Sequence, residues 1–163
     1  MKKLFIILTI FILSFGCVRG SEFDRLLKKA EKGDADAQCE VGLRYLKGNG
    51  VKTNIEEASK WTEKAAEKGC AKAQFNLGVF YNTGIGREKD YKKGIQWMEK
   101  AADNGYPKAQ SNIAYMYFFG YGTSVNKTKT KYWLEKFIKN KEASENLKEK
   151  AKQFWNEHEL EKY

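Results

Sequence analysis

The chain has 163 residues, a formal net charge of +9, a single histidine and three cysteines. That length is enough for one domain with a continuous core, and so few histidines and cysteines leave metal or acid–base chemistry little to work with. The lysines are scattered, as at Lys28/Lys29, Lys92/Lys93 and Lys127 to Lys131, which is the spacing of solvated helix exteriors and supports at most acidic partners or anionic lipid, not nucleic acid.

Residues 1–20 read as a signal peptide rather than as part of the fold. Lys2 and Lys3 precede Leu4 to Phe15, a run of twelve residues broken only by Thr9 and Ser14. Nothing polar gives that run a second face, and it is shorter than the ~20 residues a bilayer span needs. Ser14-Phe15-Gly16-Cys17 resembles a bacterial lipobox, which implies acylation of Cys17 and, with Val18 rather than aspartate following, delivery to the outer membrane. Cleavage after Gly20 is the competing exit. The first is preferred, so the expected location is the periplasm or outer membrane, tethered by lipid, and otherwise secreted.

Residues 21–32 are expected to form a helix. Three segments then superpose with a period of 36 residues and no insertion: 33–68, 69–104 and 105–140. Gly33, Gly69 and Gly105 open them. Ala37-Gln38, Ala73-Gln74 and Ala109-Gln110 follow, then Tyr45, Tyr81 and Tyr117, the pairs Gly48/Gly50, Gly84/Gly86 and Gly120/Gly122, and finally Trp61, Trp97 and Trp133. A fixed period of this size marks an all-α repeat stack, in which each unit buries its apolar face only against its neighbours.

Each unit reads as two helices. In the first, Asp34 caps a helix from Ala35 to Lys47, with Ala37, Val41 and Tyr45 along one side. Gly48-Asn49-Gly50 ends it. Thr53 or Asn54 caps a second helix from Ile55 to Lys68, whose inward row is Ala58, Trp61 and Ala65. Gly42 and Gly78 sit mid-helix, where glycine costs about 1 kcal/mol against alanine, so the helix is expected to approach a neighbour too closely for a side chain. The tryptophans read as core rather than as a ligand-stacking ladder. Residues 141–163 form a terminal cap with Ala143, Leu147, Ala151, Phe154, Trp155 and Leu160 on one side. His158 is expected to be a solvated residue there. Cys39 reads as a small helix residue, and its position relative to Cys70 makes the close approach of a disulfide doubtful.

The motif Ala-Gln-x-x-(Val/Leu/Ile)-(Gly/Ala)-x-x-Tyr-x-x-Gly-x-Gly, followed by Ala-x-x-Trp-x-x-x-Ala, resembles the Sel-1-like repeat, a relative of the tetratricopeptide repeat. It spans 33–140. In the third unit Thr130 and Phe137 stand where small residues are usual, and Arg44 holds a normally aliphatic place. The resemblance implies an α-solenoid acting as an adaptor, often exported in bacteria. Some secreted cysteine-rich members are described as weak β-lactamases, and Ser124-Val125-Asn126-Lys127 satisfies Ser-x-x-Lys. Ser-Asp-Asn and Lys-Thr-Gly are missing, however, and Ser124 falls in a loop. No catalytic, metal or cofactor site is expected.

In tetratricopeptide-like stacks the first helix of each unit lines the concave face. That places Cys39 and Leu43, then Lys72, Phe75 and Val79, then Lys108, Ser111 and Tyr115 on one wall, with Phe118 and Phe119 beside the third. An apolar floor edged by lysines suits a protein segment anchored by aromatics. Phe118, Phe119 and Tyr115 either meet that partner or pack under the C-terminal helix. The expected partner is another protein, of the cell envelope or, if the chain is an immunity protein, a toxin.

Overall fold

A computed structural model describes residues 22–163; the signal-peptide and Cys17 readings lie outside them. The fold is all-α. Helix α1 covers residues 22–31. It is followed by α2 (Ala35–Lys47), α3 (Ile55–Glu67), α4 (Ala71–Thr83), α5 (Tyr91–Asp103), α6 (Pro107–Phe119), α7 (Lys127–Lys139) and α8 (Glu145–Glu157), and a 3₁₀ turn at Leu160–Lys162. Helices α2/α3, α4/α5 and α6/α7 pack as hairpins, and α3/α4 and α5/α6 join one hairpin to the next.

The start of each second helix is fixed by one side chain. Asn54, Asp90 and Asn126 accept from the backbone N–H of Glu57, Lys93 and Lys129 at 3.1, 3.0 and 2.9 Å. Each satisfies a donor that the first helical turn leaves unpaired. Asp34 does the same for α2, accepting from Ala37 at 2.9 Å. The first helices stop at Gly48, Gly84 and Gly120, all left-handed with φ of 74, 78 and 74°, a conformation that costs glycine nothing. The chain then returns to the helix it has left. The N–H groups of Asn54, Asp90 and Asn126 donate to the carbonyls of Tyr45, Tyr81 and Tyr117 at 3.0, 2.8 and 2.8 Å.

Within each hairpin the closest approach is set by small residues. A Cβ on Gly42 would meet Thr62 Oγ1 at 2.8 Å and the Ala58 carbonyl at 3.2 Å; one on Gly78 would meet Met98 Cγ at 2.7 Å and the Gly94 carbonyl at 2.9 Å. The expectation of a close approach therefore holds, and it has a partner: glycine opposite glycine in the second unit. In the third, Ala114 and Thr130 occupy the same two places, both fully buried.

Gln38, Gln74 and Gln110 join consecutive units, donating to the carbonyls of Ala30, Ala66 and Ala102 at 3.0, 3.2 and 3.1 Å. Ala30 lies on α1, so that helix takes the place of the second helix of a preceding unit. Arg44 bridges Glu22 of α1 at 2.6 Å and Glu40 at 3.2 Å, which accounts for an arginine at a usually aliphatic position. Trp61 and Trp133 are buried and Trp97 is half-buried. Lys64, Lys100 and Lys136 lie over the three indoles at 4.4, 4.0 and 5.1 Å, so the rings are core with a cationic lid.

The C-terminal cap differs from its expectation. Phe137 and Leu134 are buried with Ala143, Ala151 and Leu160. The helix itself ends at Glu157, and Leu160 reaches the core only because the chain turns through Glu159 at φ 49°. Leu147, expected on the packing side, is 48% exposed, while Lys148 is buried and paired to Glu145 at 2.7 Å. His158 is packed rather than solvated. It stacks on Phe154 at 4.2 Å, meets Phe118 edge-on at 4.6 Å, and its Nδ1–H donates to the Phe154 carbonyl at 2.9 Å.

Candidate functional site

The wall formed by α4 and α6 does not close against α8. Phe75, Lys108, Ser111, Asn112 and Tyr115 line one side of a cavity of about 330 Å³; Leu134 and Phe137 form its floor, and Leu147, Lys150 and Ala151 of α8 form the other side. The reason is local. Helix α8 is pinned to the last hairpin near its C-terminal end, where Phe154 takes Tyr115 and Phe118 edge-on, each at 4.9 Å. Its first turns carry only Ala151 and Lys148 inward, and these are too short or too polar to fill the space.

The sequence-derived partner residues divide. Phe75, Lys108, Ser111 and Tyr115 converge on this cavity. Phe75 is half-buried and held by Tyr106 at 5.3 Å. Lys72 is exposed at the start of α4 and Val79 is half-buried against the last-hairpin core; neither lines the cavity. Phe118 lies beneath α8. Phe119 is 52% exposed, edge-on to Phe118 at 5.0 Å and beside Tyr121 at 5.7 Å. Of the two alternatives for these aromatics, packing under the terminal helix applies to Phe118 and partly to Tyr115, and not to Phe119. Asn112, Leu147 and Lys150 were missed. Asn112 stands one place off the row that was traced, and the other two lie on α8, which has no counterpart in the repeat.

Tyr115 also separates this cavity from a smaller one of about 290 Å³, lined by Asn82, Tyr91, Met98, Asn112, Met116 and Tyr121. The Asn82 amide donates weakly to the sulfurs of Met98 and Met116 at 3.9 and 4.0 Å, and its oxygen is buried without a partner.

Tyr117 lies between Glu99, to which its hydroxyl donates, and Lys129, whose ammonium donates back at 2.7 Å. Burial first, then Glu99, raises its pKa above the ordinary phenol value. Ser124 is exposed in the loop before α7, and Lys127 donates to the Tyr163 hydroxyl at 3.0 Å. Among the described residues no cluster of three or more His, Cys, Asp or Glu could hold a metal ion, and no helix is long and apolar enough to cross a membrane.

Comparison with known proteins gives a repeat of the same period, with units that start two residues later than those read from the sequence. The Sel1 repeat family model matches residues 35–70, 71–106 and 107–141. A stretch of 54 residues is 37% identical to the secretory immunoglobulin A-binding protein EsiB of Escherichia coli O6:H1 (strain CFT073), covering 33% of this chain and 11% of that protein. A protective antigen of uropathogenic Escherichia coli with an SLR fold superposes with a TM-score of 0.68 at 38% identity, over 71% of this chain and 25% of that one. A Sel1 repeat protein from Oxalobacter formigenes does so with a TM-score of 0.69 at 35% identity, over 73% and 49%. Helicobacter pylori cysteine rich protein B shares the fold, with a TM-score of 0.59 at 23% identity over 76% and 92%. The chain thus spans only a small part of the curated relative that it matches.

Proposed function

This chain belongs to the Sel1 repeat family, and from that premise we propose that it is an exported, lipid-anchored adaptor whose α4–α6–α8 groove holds an extended segment of another protein. Sel1 repeat proteins bind other proteins. The observation that carries the reading here is the groove itself, with an apolar floor of Leu134 and Phe137, Phe75 on one side, an exposed Leu147 on the other, and lysines 108 and 150 at the rim. An apolar trough with cationic edges suits an acidic segment that carries one or two large apolar side chains. Such anchors would supply most of the affinity, and the lysines would steer the encounter.

Export and the lipid anchor rest on the N-terminal sequence alone, and they place the partner in the cell envelope. The immunoglobulin-binding relative supports a protein as the class of partner and goes no further, given how little of it this chain spans. The test is capture from envelope extract by the full chain and by a Lys108→Glu/Lys150→Glu variant, alongside Leu147→Asp. These side chains contribute little to the core, so helix content and melting should be unchanged while the captured protein is lost. Equal capture by all three chains would remove the groove from consideration. For the anchor, metabolic labelling with a fatty acid should mark the chain and fail in Cys17→Ser.

A further inference from the structure

Cys39 lies in the middle of α2 and Cys70 directly ahead of α4, with the whole of α3 between them in sequence. The structure places both in one apolar cluster, Cys70 packed against the buried set that holds Cys39, and the two are not bridged. Cys39 is buried and Cys70 is half-buried. Around them lie Ala65, Ala66, Ala73 and Leu77, all buried and mostly small.

Their surroundings give the two sulfurs different tasks. Cys70 occupies the N-cap position of α4, where the first unit has Asp34. Its sulfur faces the amides of Lys72 and Ala73 without closing a cap hydrogen bond. A helix N-terminus favours a thiolate over a thiol. Lys72 and Glu40 are the charges that act on Cys39, and Asp36 is the one that acts on Cys70. The neighbouring Cys70 thiol, and then burial among apolar groups, raise the pKa of Cys39, which keeps its proton.

We propose that Cys39 and Cys70 form a dithiol that closes to a disulfide by exchange with a low-molecular-weight disulfide, tying the first repeat to the second. The Cys70 thiolate attacks one sulfur of the small disulfide. An S–S bond forms to Cys70, the original S–S bond breaks, and one small thiolate leaves and takes up a proton. Cys39 then gives up its proton and attacks the Cys70 sulfur. The mixed bond breaks and the second small thiol departs. Two protein thiols are oxidised and one small disulfide is reduced to two thiols. The shared cluster keeps the two thiols near each other for that second attack. The bridge would fix α2 against the start of α4, just ahead of Phe75, which Tyr106 holds in the groove.

The test uses the full folded chain, treated with oxidised glutathione and then with dithiothreitol, and read by tryptic peptide mass. The expected result is a peptide of residues 33–44 linked to residues 69–72, formed without denaturant, reversed by reductant and accompanied by a higher melting temperature. Cys39→Ser should retain glutathione on Cys70, because nothing displaces it. Cys70→Ser should leave Cys39 unmodified while folded. A lasting glutathione adduct on the unmutated chain would overturn the proposal. So would a link that appears only after unfolding, or one made to Cys17.

Discussion

Asn104 donates its side-chain amide to the Gln74 side-chain oxygen at 2.8 Å, and the same nitrogen reaches the Gly69 carbonyl at 3.5 Å. One unit later Asn140 repeats the arrangement, to Gln110 at 2.8 Å and to Gly105 at 2.8 Å. Each of these glutamines is therefore used at both ends, its nitrogen on the preceding unit and its oxygen on the asparagine. The first unit has Lys68 at this position. Its ammonium reaches the Gly33 carbonyl, and the Gln38 oxygen is left buried with no partner. A buried acceptor without a donor costs about 1–3 kcal/mol, against the 0.5–1.5 kcal/mol of an ordinary bond.

Lys68→Asn should therefore stabilise the protein, by about 1 kcal/mol, by supplying the missing donor. Asn140→Ala should destabilise it by about 1–3 kcal/mol, since it strands Gln110 in the same way. Urea unfolding of both variants decides the matter. A neutral Lys68→Asn would mean that Gln38 already finds water.

Gly78→Ala should cost about 1–3 kcal/mol although alanine is the better helix former, because its methyl would fall 2.9 Å from the Gly94 carbonyl and backbone cannot yield as a side chain can. Thermal melting reads the sign directly. A gain in melting temperature would show that the α4/α5 pair opens freely at that point.

The helices and their stacking could be read from the sequence because their determinants are local and repeat: a cap at Asn54, Asp90 or Asn126, a glycine at 48, 84 or 120, and a small residue at the crossing. Features that depend on how one unit is set against the next could not. The shared cluster of Cys39 and Cys70 is one, since no spacing rule relates the middle of a helix to the cap of another two helices away. The groove is a second. Lys108, Ser111 and Tyr115 lie on the repeat's own period and were found, whereas Leu147 and Lys150 depend on how α8 is hinged at Phe154. The amphipathic pattern of α8 misleads because Leu160, beyond the helix end, fills the core place that Leu147 would otherwise claim.

The three tryptophans should not be equivalent. Trp133→Ala removes a ring that is 4% exposed and should cost about 3–5 kcal/mol. Trp97 is half-buried, with Lys100 at 4.0 Å over its face, so Trp97→Ala should cost clearly less, because part of the area is already wet. Chemical unfolding of the two single variants ranks them. Equal losses would mean that the lysine lid excludes water as well as protein does.

Cys70 should react at a lower pH than an ordinary thiol. Hydrogen bonding from the Cys39 thiol, followed by the α4 amides, lowers its pKa to about 6, while burial and Asp36 oppose the shift. An unperturbed cysteine titrates near about 8.5. Alkylation of the reduced, folded chain at Cys70 should thus rise with pH through a midpoint near 6 and level off before the range in which free thiols respond. In Cys39→Ala the largest cause is gone, so the midpoint should move back up. The same shift has a sign in stability. Between the folded and unfolded values the unfolded chain holds the extra proton, so Cys70's contribution grows as pH rises through that window and is lost as pH falls through about 6. Alkylation rates that follow the ordinary thiol curve in both chains would show that the helix terminus and the neighbouring thiol do not hold the charge.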